Sequence, residues 1–319
     1  MIKKIRIRVS EYYKLTRNFG IKVSAIDIIN RYVFNENKNN IGKKWHYLKY
    51  SNAKRYIYEK YGNIIKKNKY EKLSSLIKKD DPIWVFWYQG LSNAPDIVKI
   101  CVASIKKNAG NHRVIIITKS NLLQYVNMPK YILEKVDSGQ ITLTHFSDIL
   151  RMALLYEHGG IWSDATLFWS DSINNHFNDS TFITINHGLF SDYHVCKGKW
   201  TGFFIGASKN NPAIKLFRDI FYEYWKNENC LYCYYLIDVI IATCYDNVDY
   251  VRDMIDDVPI NNTSVFELNK ILNEPYNKEQ FDRLLRRNWL HKLSYKTKLN
   301  EKIEEQVTFY GTIKNQFMD

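Results

Sequence analysis

The sequence predicts an α/β fold from about residue 81 onward, and three observations carry the prediction. Two short runs, Ile83-Trp84-Val85-Phe86-Trp87-Tyr88 and Val114-Ile115-Ile116-Ile117-Thr118, are continuously apolar rather than alternating, as strands covered on both faces are. Between them, Pro95 opens a segment whose apolar residues, Ile97, Val98, Ile100, Cys101 and Ile105, recur at helical spacing. This βαβ unit is followed by a helix over 144–158, closed by Gly159-Gly160, and by a strand over 161–164. Unbroken apolar strands imply a parallel sheet with helices on both faces.

Further along, strands are expected at 181–185 and 203–207. Asn210-Asn211-Pro212 starts a helix reaching about Trp225, and another is expected at 231–245. Before residue 80, aromatic and basic residues mix, with Ile26, Ile28, Ile29 and Val33 grouped as in short amphipathic helices. Asp80-Asp81-Pro82 ends that pattern. The chain therefore divides into a basic, mostly helical extension over 1–80 and an α/β body over 81–319.

The formal charge is +13, so anionic partners are expected: nucleotides, nucleic acid or an acidic bilayer. The excess concentrates before residue 80, in runs such as Lys3-Lys4-Ile5-Arg6-Ile7-Arg8 and Lys66-Lys67-Asn68-Lys69. Basic residues interrupt the first apolar positions too often for a signal peptide. The apolar stretch over 234–244 is too short to span a bilayer. A cytoplasmic location is expected, with five cysteines held as free thiols. Cys230 and Cys233, with His194 and Cys196 nearby, make only a weak case for a structural metal.

Asp148 and Arg151 lie three residues apart on the 144–158 helix, hence on one face. An arginine in the first turns opposes the helix dipole unless an anion is close. A local account, in which Asp148 caps the helix and Arg151 pairs with it or with Glu157, is equally good from pattern alone. Asp164 tips the balance, because a strand-end carboxylate in an open α/β sheet faces the ligand crevice.

These residues also carry a resemblance. Ser147-Asp148-x-x-Arg151, followed by Gly159-Gly160-Ile161-Trp162-Ser163-Asp164-Ala165-Thr166, resembles the signature of sugar transferases with a DxD-type donor site. With the 83–90 run, Asn93-Ala94-Pro95, Lys209-Asn210-Asn211-Pro212, Asn273-Glu274-Pro275 and His291-Lys292-Leu293-Ser294-Tyr295-Lys296, it is similar to the capsular polysaccharide synthesis protein family over about 80–312. The family is related to glycosyltransferase family 32 and, more distantly, to clostridial glucosylating toxins.

The resemblance implies a GT-A fold, with a Rossmann-like, nucleotide-binding mixed sheet flanked by helices. It implies transfer of a hexose or similar sugar from a nucleoside diphosphate donor, usually UDP, with retention at the anomeric carbon. The acceptor would be a growing oligosaccharide or lipid-linked saccharide in capsular or other surface polysaccharide synthesis. Trp87 would stack on the base, and Asp148 and Arg151 would hold ribose, sugar or diphosphate. Asp164 would lie at metal and ribose, with Trp162 beside it in the donor set. A divalent cation, Mn²⁺ or Mg²⁺, is expected from the motif, although its third position is Thr166 rather than a second Asp.

His291, Lys292 and Lys296 are candidates for closing over the diphosphate. Asp238, a carboxylate in an apolar helix, either faces the sugar or acceptor cleft or makes a hydrogen bond into the core. Asn186 and His187 follow a strand end and could line the acceptor side, whereas His145 reads as structural. A toxin-like protein glycosyltransferase and a noncatalytic nucleic-acid or anion-binding module are the alternatives. No nucleic-acid motif is present, and a carboxylate-lined cleft repels phosphates, so nucleic acid is not an expected partner.

Overall fold

A computed structural model describes residues 2–34, 40–68, 71, 75–176, 180–188 and 194–318, with side chains from residue 9. The side chains of the basic run at residues 3–8, and Lys69, lie outside the described residues.

Three helices open the chain: α1 (Ile2–Phe19), α2 (Ile21–Ile28), which continues into a π-helical turn, and α3 (Asn40–Lys67). The order is then β1 (Ile83–Phe86), α4 (Asp96–Asn108), β2 (Val114–Ile117), α5 (Lys130–Asp137), α6 (Leu143–His158), β3 (Gly160–Ser163), β4 (Leu167–Trp169), β5 (Phe182–Thr184) and β6 (Phe204–Ala207). Helices α7 (Pro212–Asn227), α8 (Leu236–Asn247), α9 (Asp249–Asp256), α10 (Glu267–Ile271) and α11 (Lys278–Arg287) follow. Strand β7 (Leu290–Lys292), the small hairpin β8 (Lys302–Ile303) and β9 (Gln306–Val307), and α12 (Phe309–Met318) complete the order.

The main sheet has the strand order β2-β1-β3-β6-β5. Strands β2, β1 and β3 are parallel, as expected; β6 runs antiparallel to β3, and β5, antiparallel to β6, returns to the direction of β1–β3. The sheet is therefore mixed, as the family resemblance implies, and the parallel pairing read from the apolar runs is confined to β2, β1 and β3. Burial on both faces produces the same apolar run in either direction, so composition does not report strand polarity.

The continuous apolar character of β1 has a direct cause. Trp84 and Phe86 enter the core on the side of α6, α7 and α8, while Ile83 and Val85 enter the core on the side of α4 and α12. Each fully buried side chain of this size contributes roughly 1.5–3 kcal/mol.

Ile26 and Ile28 lie in the short α2 and Ile29 and Val33 in its π-helical continuation, as read from sequence, whereas α1 and α3 are longer helices. In α3, Tyr50, Ala53, Ile57, Tyr61 and Ile65 recur at helical spacing and are buried in the same core as α8. The buried Glu228 accepts hydrogen bonds from Tyr56, Lys60 and Tyr61 on that helix. Further out, Lys49 pairs with Asp27 at 2.6 Å, and the Tyr12 hydroxyl donates to Asp27 at 2.8 Å. Both α1 and α2 are tied to α3 by this cluster.

The Gly159-Gly160 turn sets the site. Both glycines have positive φ, 73° and 95°. A Cβ at Gly160 would stand 2.1 Å from the Pro82 carbonyl oxygen, and one at Gly159 would stand 2.6 Å from the Lys209 backbone nitrogen. Only glycine allows α6 to reverse this tightly into β3. The Trp84 indole N–H donates to the Gly159 carbonyl at 2.9 Å and fixes the turn from below.

Candidate active site

Helix α6 starts at Thr142, whose hydroxyl accepts from the His145 backbone N–H; Asp148 is therefore not its cap. Asp148 and Arg151 share the face turned toward the end of β3. Arg151, 3% exposed, places Nη1 3.0 Å from Asp148 Oδ1 and Nη2 3.3 Å from Asp164 Oδ1. It has no contact with Glu157. Its guanidinium also covers the Trp162 ring, 4.8 Å from the centroid. Trp162 is itself buried, and its indole N–H donates to Asp164 Oδ1 at 2.9 Å. The tryptophan thus orients the carboxylate and supports the arginine.

Lys292 arrives from a distant part of the chain. Strand β7 pairs antiparallel with β4, placing Lys292 opposite Leu167. Its Nζ lies 2.6 Å from Asp164 Oδ2 and 2.8 Å from Thr166 Oγ1. Burial works to raise the Asp164 carboxyl. The Lys292 and Arg151 charges, with hydrogen bonds from Lys292 and Trp162, outweigh it and hold the group below its ordinary value.

Two cavities meet over this cluster. The inner one, about 560 Å³, is lined by Asp148, Arg151, Trp200, Thr201, Tyr235 and Asp238. The outer one, about 840 Å³, is lined by Trp87, Tyr88, Trp162, Thr166, Tyr295 and Lys296. Asp164, Lys292, Tyr234 and Phe266 border both. A larger cavity of about 1030 Å³ beside β5 touches none of the motif residues.

Trp87 leaves the sheet after β1 and faces the outer cavity, edge-on to Tyr295 with ring centroids 5.5 Å apart. Lys296 lines the same cavity. His291 does not reach it. Adjacent strand residues point to opposite faces, and with Lys292 in the cleft His291 is fully buried, its Nε2 3.3 Å from Ser170 Oγ. Burial pushes its pKa down to about 4, so it adds no charge at the site.

Asp238 lies in the first turn of α8 rather than midway along a helix. It does both things the sequence left open, lining the inner cavity and accepting from the Trp200 indole N–H at 2.9 Å. Desolvation, reinforced by the negative charge of Asp148, pushes its carboxyl up to about 7 against the opposing Trp200 hydrogen bond and Arg151 charge. Asn186 is used structurally: its amide donates to the Val258 carbonyl and its Oδ1 accepts from Gly188. His187 does line the inner cavity, and so does His145, whose Nδ1 is 3.8 Å from Asp148.

Sequence reasoning missed the wall formed by Trp200, Thr201 and Gly202, and the aromatic gate of Tyr234 and Phe266. The signal for the first is the antiparallel β6: Phe204 pairs with Ser163, so residues just before β6 lie beside Asp164. Four buried polar atoms without a hydrogen-bond partner belong to residues lining this inner cavity: His145 Nδ1, Arg151 Nε, His187 Nδ1 and Thr201 Oγ1. Unpaired buried polar atoms are rare in proteins, and four of them gather around one cavity here.

The cysteines are free thiols, with Cys196 Sγ 3.0 Å from His194 Nδ1. Among the described residues, no group of three His, Cys, Asp or Glu side chains is placed to hold a metal ion. At the motif itself, both Asp164 oxygens and the Thr166 hydroxyl already accept from Trp162, Arg151 or Lys292. The Lys292 ammonium bridges the two side chains between which the motif would hold a metal. Among the described residues, no helix is long and apolar enough to cross a membrane.

Fold and site together define a mixed α/β protein with a two-chambered, charge-lined cleft at the carboxyl end of its central strand. The profile of the capsular polysaccharide synthesis protein family matches residues 31–313, and the chain belongs to that family. The match begins within the N-terminal helices, well ahead of residue 80. Over 162 residues the chain is 25% identical to the O-glycosyltransferase braB of Annulohypoxylon truncatum, covering 47% of this chain and 38% of that protein. The chain thus spans well under half of that relative's length. Among solved structures, the PaToxG glycosyltransferase aligns with a TM-score of 0.39 at 15% identity, over 75% of this chain and 94% of that one.

Proposed function

We propose that the chain is a glycosyltransferase that moves a hexose or similar sugar from a nucleoside diphosphate donor, UDP in the first instance, to a saccharide acceptor in surface polysaccharide synthesis. The observation that carries the reading is the convergence of Asp148, Arg151, Asp164 and Lys292 where the two cavities join. The outer cavity, with Trp87 and Tyr295, suits a base and ribose. The inner one, with its unpaired polar atoms, suits a sugar ring, which leaves the diphosphate beside Arg151 and Lys292. Fixed cations there offset the charge that develops on the leaving group, the largest single contribution in such reactions.

In the reaction, the bond between the anomeric carbon and the β-phosphate oxygen breaks and UDP departs with the electron pair. The acceptor hydroxyl oxygen bonds to the anomeric carbon. With retention, the departing phosphate oxygen takes the hydroxyl proton, so no enzyme nucleophile is invoked. Calorimetry of UDP and a panel of nucleotide sugars, with UDP release as the activity readout, tests the proposal. Failure of every nucleotide sugar to bind would end it.

The acceptor is proposed to be lipid-linked and the enzyme to sit on an anionic bilayer. Residues 1–80 carry 21 basic and 6 acidic residues, a net +15, whereas residues 81–319 carry 25 and 27, a net −2. The same segment exposes Val9, Tyr13, Ile21, Val33, Ile41 and Leu48. Cations with exposed apolar side chains suit an acidic headgroup layer. Because α3 belongs to the core, the test uses the full chain: Ile21→Ser with Tyr13→Ser should lower sedimentation with phosphatidylglycerol vesicles. Equal sedimentation of wild type and variant would reject this part.

A further inference from the structure

We infer that Lys292 is the cation of this donor site, taking the place that a divalent metal would take between positions 164 and 166, so that the enzyme works without a metal ion. The inference rests on the donor-site reading above and goes beyond it in naming the source of the charge.

The geometry is specific. The ammonium of Lys292 bridges Asp164 Oδ2 and Thr166 Oγ1 at 2.6 and 2.8 Å, the two side chains on which the motif would hang its metal. Hydrogen-bond lengths of this order suit an ammonium, whereas Mg²⁺ needs oxygens at about 2.0–2.1 Å. Thr166 fits the arrangement: a neutral hydroxyl accepts one ammonium hydrogen bond, while a second aspartate would add the charge that a divalent ion needs.

Lys292 is also held in place by its backbone. Its N–H donates to the Val265 carbonyl at 2.8 Å, and the next N–H, of Leu293, donates to the Thr166 carbonyl at 2.9 Å. The lysine and the motif threonine therefore move as one piece. The Phe203 ring lies 5.0 Å from Nζ, and the side chain is only 21% exposed, so water screens the charge weakly. Arg151 at Asp164 Oδ1 supplies a second positive charge. Between them the two residues carry the charge of one divalent ion.

The test uses the full-length protein and Mn²⁺ itself. The electron paramagnetic resonance signal of free Mn²⁺ should persist when protein and UDP are added together. UDP affinity and nucleotide-sugar turnover should agree within about twofold between EDTA and Mn²⁺. Lys292→Met should weaken turnover by about 100-fold, the scale for losing one fixed group that meets developing charge. Thr166→Asp combined with Lys292→Met should create Mn²⁺-dependent UDP binding where the wild type has none.

One Mn²⁺ taken up per wild-type chain in the presence of UDP, with UDP binding lost in EDTA, overturns the inference and leaves the glycosyltransferase reading intact. Absence of UDP binding under every condition overturns both. The wild-type measurements stand whether or not the variants fold.

Discussion

Gly202 lies so close to Arg151 that a Cβ at position 202 would stand 3.0 Å from the guanidinium Nη1. The glycine therefore makes room for the arginine that joins the Asp148 and Asp164 carboxylates. Gly202→Val should displace the guanidinium and lower kcat/KM about tenfold or more, the cost of misplacing a positioning group. The melting temperature should fall as well, because a displaced guanidinium leaves the largely buried Asp148 carboxylate less well paired. Unchanged kinetics in a folded variant would show that the space at 202 is not used.

Arg151→Ala tests fold and activity together. The guanidinium is almost fully buried and is the close cation beside Asp148. Its removal leaves a largely buried carboxylate unpaired, which costs about 3–5 kcal/mol. Denaturant unfolding should show that loss. Asp164→Asn keeps the shape and the Trp162 acceptor, so stability should change far less while turnover falls about 100-fold or more. Similar stability losses in the two variants would contradict this division.

Asp238 gives a pH prediction. Its folded-state carboxyl is pushed up to about 7 from the ordinary 3.8. The folded state thus binds the proton more tightly than the unfolded chain between these values. The stabilisation this confers is fully present below the unfolded value and is lost as pH rises through 7. The slope approaches about 1.4 kcal/mol per pH unit inside that window. Asp238→Asn should remove this component while keeping an oxygen for the Trp200 indole, so the variant should gain stability relative to wild type from pH 5 to pH 8. A pH-independent difference would refute it.

Thr201→Val addresses the unpaired polar atoms of the inner cavity. The exchange removes one hydroxyl at nearly constant volume. If Thr201 Oγ1 pairs with the transferred sugar, affinity for the nucleotide sugar should fall about fivefold, the value of one hydrogen bond of about 1 kcal/mol. Affinity for UDP alone should stay the same. Equal weakening of both ligands by competition binding would place Thr201 elsewhere in its role.

Much of the local geometry was legible in the sequence. Asp148 and Arg151 at a spacing of three, a glycine pair and a strand-end Asp164 are consecutive, so helical period and strand direction suffice to bring them together. The partner of Asp164 was harder to read. Lys292 reaches it through the antiparallel pairing of two three-residue strands, and neither periodicity nor propensity specifies a pairing over that separation. The same short strand explains why His291 was grouped with it: alternation says that one of the two points inward, but three residues do not say which. Helix α3 was not singled out in the sequence because its buried stripe includes Tyr50 and Tyr61 among lysines, giving little contrast between its faces. Its length became clear only from the apolar surface of α7 and α8 that it covers.

The glycine turn between α6 and β3 has a consequence for what the chain can tolerate. Arg151 and Asp164 sit on the two limbs of one continuous bend, with both ends of that bend wedged against backbone atoms. The separation between them comes in whole steps, since one residue inserted into α6 after Arg151 would swing the arginine by about 100° around the helix axis. No side-chain exchange could restore its aim at the strand end. Length variation is accordingly closed to this stretch, because even a full turn, which would restore the direction, would carry the guanidinium about 5.4 Å along the axis and away from the carboxylate.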